Sequence, residues 1–272
     1  MKIGHTRWTG IVLIALMMLP PVSASANSDR PSLNGRWGLL RTTRILDDVP
    51  VLGEVATRMQ TLSILTVRQA GRTVTAREKV CRIRMKSNTD LVSIAVKRGL
   101  AKGLSGTKRK MRLVGEGDQL RIEQERQLFV WGATLAKPVE DLLPTTSDDP
   151  RLKDVDKDDK PGMSILIKGI IHGEMYVVQR DWSQWSGRLV TDDRIEGVVD
   201  WSFERNIVGR SNPLLPTKHK ARVDSRPGKN SIILVRLPRK MKCKQLKKSV
   251  KRYFGKTDQS AETTLAPEKP SK

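Results

Sequence analysis

The sequence predicts an all-β protein, an antiparallel meander forming a barrel-like or sandwich architecture with at most one short helix. Three observations carry this expectation. From Ile195 onward, Ile195, Gly197, Val199, Trp201 and Phe203 alternate with Glu196, Asp200, Ser202 and Glu204, and only Val198 breaks the period of two. Short apolar runs recur between turn residues at hairpin spacing, as on either side of Thr191-Asp192-Asp193. Both arms of a segment spanning residues 61–85 are rich in β-branched residues, which suit a pleated surface.

Residues 1–26 read as a secretory signal peptide. Lys2 and Arg7 precede an apolar run from Ile11 to Leu19, and Ala24-Ser25-Ala26 offers a small-residue cleavage site. The run is too short to span a bilayer, and no later stretch approaches that length. The expectation is therefore export to a periplasmic or extracellular location, with no transmembrane segment in the mature chain.

An N-terminal β-rich half covers residues 27–130. Its first strand opens at Gly35-Arg36-Trp37-Gly38-Leu39-Leu40, followed by a loop at Asp47-Asp48-Val49-Pro50 and Gly53. Thr61 to Val67 pairs across Gln69-Ala70-Gly71-Arg72 with Thr73 to Ala76 and on to Met85. Between Leu91 and Leu104, the spacing of Leu91, Ile94, Ala95 and Arg98 is helical, while Gly99 and Gly103 limit any helix to a short one. Met111 to Val114 and Gln119 to Glu125 flank a hairpin turn at Gly115-Glu116-Gly117-Asp118.

Residues 131–162, with Pro138, Pro144 and Pro150, form a linker that ends in an acidic loop. A C-terminal meander then occupies residues 163–238. Ser164–Ile171 pairs with Glu174–Arg180 about His172-Gly173, and Gly187–Val190 pairs with Ile195–Glu204, which makes four strands before a last one at Ser231–Leu237. Residues 239–272 form a basic tail, disordered from Thr257. Whether the two halves share one closed sheet is open at this level.

The formal net charge is +22, and the leader contributes only Lys2 and Arg7 to it. Such a balance attracts polyanions, or simply keeps an exported protein in solution. Two runs concentrate the charge: Lys108, Arg109, Lys110 and Arg112 in the first, Lys247, Lys248, Lys251 and Arg252 in the second. Aromatic residues are sparse among them, so phosphate-type contacts are expected and nucleic acid is an unlikely partner. Cys81 and Cys243 are the only cysteines, and an oxidising compartment favours joining them; two separate thiols are the alternative.

Few residues suggest catalysis, and no enzyme is expected. After the leader only His172 and His219 remain, no G-x-S-x-G is present, and a histidine zinc site lacks ligands. A carboxylate pair among Glu174, Asp181, Glu196, Asp200 and Glu204 would be needed for glycoside chemistry.

Asp154, Asp156 and Asp158 place oxygen ligands at positions 1, 3 and 5 of a short loop closed by Pro161-Gly162, the alternation that a curling calcium loop presents inward. This stretch resembles the D-x-D-x-D loops of EF-hand-like and thrombospondin-type calcium modules. It departs from them at Asp159, where a turn glycine is usual, and at Ile165, where the bidentate acid would stand. The resemblance implies a structural calcium, with Asp148, Asp149 or backbone carbonyls completing the ligands. Gly35-Arg36-Trp37 resembles the G-x-W of lipocalins, the calycin-type small-ligand barrels in which that Trp plugs one end, and Thr191-Asp192-Asp193 partly matches their later T-D-Y. On that resemblance Trp37 is a candidate ligand-binding residue. Separately, Trp182 and Trp185 in Arg180-Asp181-Trp182-Ser183-Gln184-Trp185 offer a candidate sugar- or lipid-facing aromatic patch, with ordinary packing as the alternative. The expected function is a non-enzymatic envelope binding protein for a lipid-like or small apolar ligand. Docking on an anionic envelope polymer is the second expectation and a glycoside-active enzyme the third.

Overall fold

The structure is a computed structural model that describes Met1 and residues 32–49, 52–218 and 220–255. The leader expected over residues 1–26 lies, Met1 apart, outside the described residues, as do His219 and the tail from Thr257. No helix among the described residues is long and apolar enough to cross a membrane.

Eight antiparallel strands close a ring: β1 (Gly35–Val49), β2 (Gly53–Ala70), β3 (Thr73–Ser87), β5 (Lys108–Val114), β6 (Arg121–Trp131), β8 (Gly173–Thr191), β9 (Arg194–Arg210) and β11 (Ser231–Leu237). Pairing of β8 with β9 and of β11 with β1 removes the open edges. Strands from both sides of the 131–162 segment therefore belong to one sheet. β7 (Met163–Gly169) continues along β8 beyond the end of β6, β4 (Val92–Val96) pairs with β7, and β10 (Ala221–Val223) continues along β1 beyond β11.

The expected hairpins are present where turn chemistry and alternation coincide. Ala70 pairs with Thr73, so β2 and β3 turn on Gly71-Arg72, and Gly71 takes φ 58, a left-handed value that glycine adopts without penalty. Ile195, Val199 and Trp201 are buried while Val198 is exposed, as the alternation in β9 requires. Two expectations are corrected. The spacing at Leu91 to Arg98 suggested a helix, yet residues 92–96 form β4, and only Leu100–Gly103 is helical (α1). The four-strand meander is three strands, because Glu174–Arg180 and Gly187–Val190 lie in the single 19-residue β8.

The reason for that merger lies inside the barrel. At one end the interior is apolar, built on Leu33, Trp37, Leu39, Leu65, Met111, Ile122, Trp185 and Ile195. At mid-height it is polar: Arg109 donates to Glu78 and, at 2.6 Å, to Gln124, while Trp185 Nε1 donates to the same Gln124 Oε1. Gln179 and Trp131 both donate to Asp181 at 2.6 Å, and Arg205 donates to Gln179 at 2.7 Å. Polar residues in β8 thus face an interior that is itself polar, and the strand need not break.

Helices α2 (Cys243–Lys248) and α3 (Val250–Phe254) exceed the one helix expected and form a lid on the outside of the barrel. Leu246 and Phe254 pack on the outer faces of Leu40, Leu62, Ile64, Val235 and Leu237. Gly38 permits this approach, since a Cβ there would stand 3.1 Å from the Phe254 ring. The 131–162 segment packs Leu135 and Leu143 against Val178 and Val208 on the outer side of β8 and β9.

Candidate functional site

The charged outer face of β3 and β5 follows from strand alternation. Along β5, Lys108, Lys110 and Arg112 point outward while Arg109, Met111 and Leu113 point inward. Arg109 is therefore a correction to the expected polyanion set: it is 4% exposed and ion-paired with Glu78 inside the barrel. Burial alone would raise the Glu78 carboxyl, but the charges of Arg109 and Arg41 outweigh that and hold it below its ordinary value.

On β3 the outward residues include Arg77, Lys79, Arg82, Arg84 and Lys86. Register sets Arg77 directly opposite Lys108 and Thr75 opposite Lys110. None of Arg77, Lys79, Lys108 and Lys110 has an ion-pair partner among the described residues. Burial, and then the neighbouring Arg84, lower the Arg82 guanidinium.

The second basic run reaches this face through the disulfide. Leu62 pairs with Arg82 and Ser63 with Val80, so Cys81 is the extra residue of a β-bulge and is aimed out of the ladder. Its partner is Cys243 at the start of α2, 5.2 Å away between α-carbons and 162 residues along the chain. Lys244, Lys247 and Lys248 of α2 and Lys251 and Arg252 of α3 are exposed. The opposite wall differs: on β9, Glu196 pairs with Arg194 and Glu204 with Arg180, and Asp200 accepts from Gln184.

The acidic loop is ordered. Asp154 accepts from the backbone N–H groups of Lys157, Asp158 and Asp159, and Lys157 and Asp159 adopt left-handed backbone, φ 59 and 62. Asp159 thus takes the conformation that a turn glycine would supply. Asp156 Oδ2 accepts from the Ser164 N–H at 2.9 Å, and Ser164 Oγ donates to Asp158 at 2.6 Å. Burial pushes the Asp156 carboxyl up to about 6, opposed by the Ser164 hydrogen bond and reinforced by Asp158 and Asp154. Ile165 is core, and Asp149 is engaged by Arg151, so neither it nor Asp148 belongs to the carboxylate cluster.

The three tryptophans do not share a surface. Trp37 is 1% exposed, donates to the Leu33 carbonyl at 2.9 Å, and has Arg236 over its ring at 4.5 Å. Trp185 points into the barrel, whereas Trp182 points outward beside Arg126 and Arg180, so no Trp182–Trp185 patch forms. Two interior voids, one beside Trp37 and one beside Arg41 and Glu78, are each about 10 Å³, the size of one water probe.

The five carboxylates considered for catalysis are likewise separated. Burial raises the Asp181 carboxyl inside the barrel, Glu174 pairs with Lys97, and the remaining three line the outer face of β9. His172 is exposed. The buried Arg109–Glu78 pair escaped the sequence because its partners lie 31 residues apart, although the in-out period of Lys108 to Leu113 already placed Arg109 inside. Comparison with family models, curated proteins and solved structures finds no match to this chain.

Proposed function

We propose that this protein is an exported, non-enzymatic barrel that docks on an anionic polysaccharide of the cell envelope through the outer side of β3, β5 and α2. The observation carrying this reading is the Cys81–Cys243 disulfide, which attaches the basic helix α2 to the strand bearing Arg77, Lys79 and Arg82. The disulfide ties α2, which carries Lys247 and Lys248, to β3, and β3 pairs with β5, which carries Lys108 and Lys110.

The spacing suits an array of anionic groups. Neighbouring cations stand about 5 Å apart across the ladder and about 7 Å apart along β3, so they diverge rather than converge on one ion. Like charges directly opposite destabilise a ladder, and a polyanion laid over them relieves the repulsion. No aromatic residue lies on β3, β5 or α2, which removes the stacking platform that single-stranded nucleic acid uses. A lipid-like ligand is disfavoured because pockets for such molecules hold roughly 300–1,000 Å³, against the voids of about 10 Å³ found here.

The test is titration of the purified protein with heparin, a sulfated and carboxylated polysaccharide, at rising salt. With about four charge contacts, affinity should fall roughly 50-fold between about 50 and 200 mM salt. Absence of binding at low salt, or binding indifferent to salt, contradicts the proposal. Tighter binding to duplex DNA than to heparin would replace the polysaccharide with nucleic acid.

A further inference from the structure

The loop from Asp154 to Asp158 holds a feature that its own hydrogen bonds do not account for. Asp156 is 3% exposed, and while its Oδ2 accepts from Ser164, its Oδ1 is buried with no hydrogen-bond partner. An unpartnered oxygen of a buried carboxylate carries the full desolvation penalty of a charged group. Ligand oxygens of Asp154, Asp156 and Asp158 all lie within 4.8 Å of one another. Three carboxylates this close repel unless a cation sits among them.

The nearest ammonium does not fill that role. Lys97 Nζ lies 2.6 Å from Glu174 and 3.6 Å from Asp158 Oδ2, so it balances the outer side of the loop and leaves Asp156 Oδ1 untouched. The loop backbone is packed closely where the oxygen is buried, seated on a ledge of glycines. A Cβ on Gly99 would stand 1.7 Å from the Asp156 carbonyl oxygen, and one on Gly103 would stand 2.3 Å from that of Val155. From the other side Val155 N–H donates to the Gly162 carbonyl at 3.1 Å, and Ser164 lies within the buried first part of β7.

We infer that Asp154, Asp156 and Asp158 bind a calcium ion that locks residues 154–164 between α1 and β7. The donor set selects the metal. It consists of carboxylate oxygens with no imidazole or thiolate, which suits a hard cation rather than zinc or copper. Three carboxylates on a curled loop can supply mono- or bidentate contacts, with backbone carbonyls and water completing the six to eight oxygens that calcium accepts; magnesium demands a stricter octahedron and keeps more of its water.

The experiment is thermal unfolding of chelator-stripped protein, with calcium or magnesium added back, for the wild type and Asp156→Asn. Saturating calcium should raise the wild-type Tm by roughly 5 °C or more, and magnesium at the same concentration by less. Asp156→Asn removes the uncompensated charge, so in chelator it should unfold no lower than the wild type, and it should lose the calcium shift. A wild type indifferent to calcium, or a variant that keeps the full shift, overturns the inference. A variant that unfolds below the stripped wild type also counts against it, since the charge would then have a partner within the protein. Calcium titration calorimetry provides a second reading, with at least a tenfold loss of affinity expected for Asp156→Asn. Heparin binding does not enter either measurement, so this inference and the proposed function fail separately.

Discussion

Arg77 on β3 stands directly across the ladder from Lys108 on β5, and neither cation has an ion-pair partner among the described residues. A protein that needed charge only for solubility could scatter it, as β9 does, where Glu196 and Glu204 each meet an arginine. Here the like charges face one another at a measurable cost to the sheet. Replacing Lys108 with Thr should therefore stabilise the fold by a few tenths of a kcal/mol, up to about 1. It should also weaken heparin binding. Denaturant unfolding and heparin titration on the same variant check both signs.

Reduction of Cys81–Cys243 should act on stability and binding together. The bridge closes a loop of 162 residues, and opening it should cost about 4–5 kcal/mol on the chain-entropy account. Guanidinium unfolding with and without reductant measures this. Affinity for heparin should fall as well, because α2 is no longer tied to β3.

Arg109 and Lys110 are adjacent in sequence and opposite in consequence. Arg109→Ala strands Glu78 in the barrel and should cost about 3–5 kcal/mol, whereas Lys110→Ala should stay within about 0.5 kcal/mol. Glu78 is held below its ordinary value, so its contribution is complete above the unfolded-state pKa of about 4.3 and disappears as pH falls through the lower folded value. In Arg109→Ala only Arg41 is left to oppose burial, so the carboxyl should move up from its wild-type position. The variant should therefore lose less stability than the wild type on acidification. Unfolding free energies at a series of pH values below about 6 decide this.

Gly99→Ala tests the seat of the acidic loop. The added methyl meets the Asp156 backbone at a distance that no side-chain rotation relieves. Stability should fall by about 1–3 kcal/mol and the calcium shift should shrink. Lys102→Ala, on the exposed side of the same helix, should do neither.

The legible parts of this fold are those where local chemistry and tertiary environment agree. β9 shows its period of two because one side is apolar core and the other is water. Ser231–Leu237 is bounded as expected for a different reason: it is apolar on both faces, with Ile232 and Leu234 toward the core and Val235 and Leu237 toward α2 and α3. β8 was illegible across Gln179, Asp181 and Ser183 because the barrel interior is polar at that height, and no local pattern announces an inward carboxylate. In the site, the carboxylate spacing of Asp154 to Asp158 was readable, but the orphaned Asp156 oxygen depends on Ser164 and on the glycine ledge of α1. Gly99 and Gly103 looked like helix limits; their use is to let another backbone come close. The union of the two basic runs was readable only as far as the cysteines could be paired, since the bulge that aims Cys81 outward is a property of the β2–β3 register.

The most direct test of the docking face compares two triple variants of equal charge. Lys79→Glu, Lys108→Glu and Lys110→Glu reverse the exposed side of β3 and β5, while Lys137→Glu, Lys168→Glu and Lys218→Glu make the same change at exposed positions elsewhere. Heparin affinity should fall at least tenfold in the first variant, with a shallower salt dependence, and change by less than about threefold in the second. Equal losses in both would mean that net charge, and not this face, attracts the polyanion, and would contradict the proposed function.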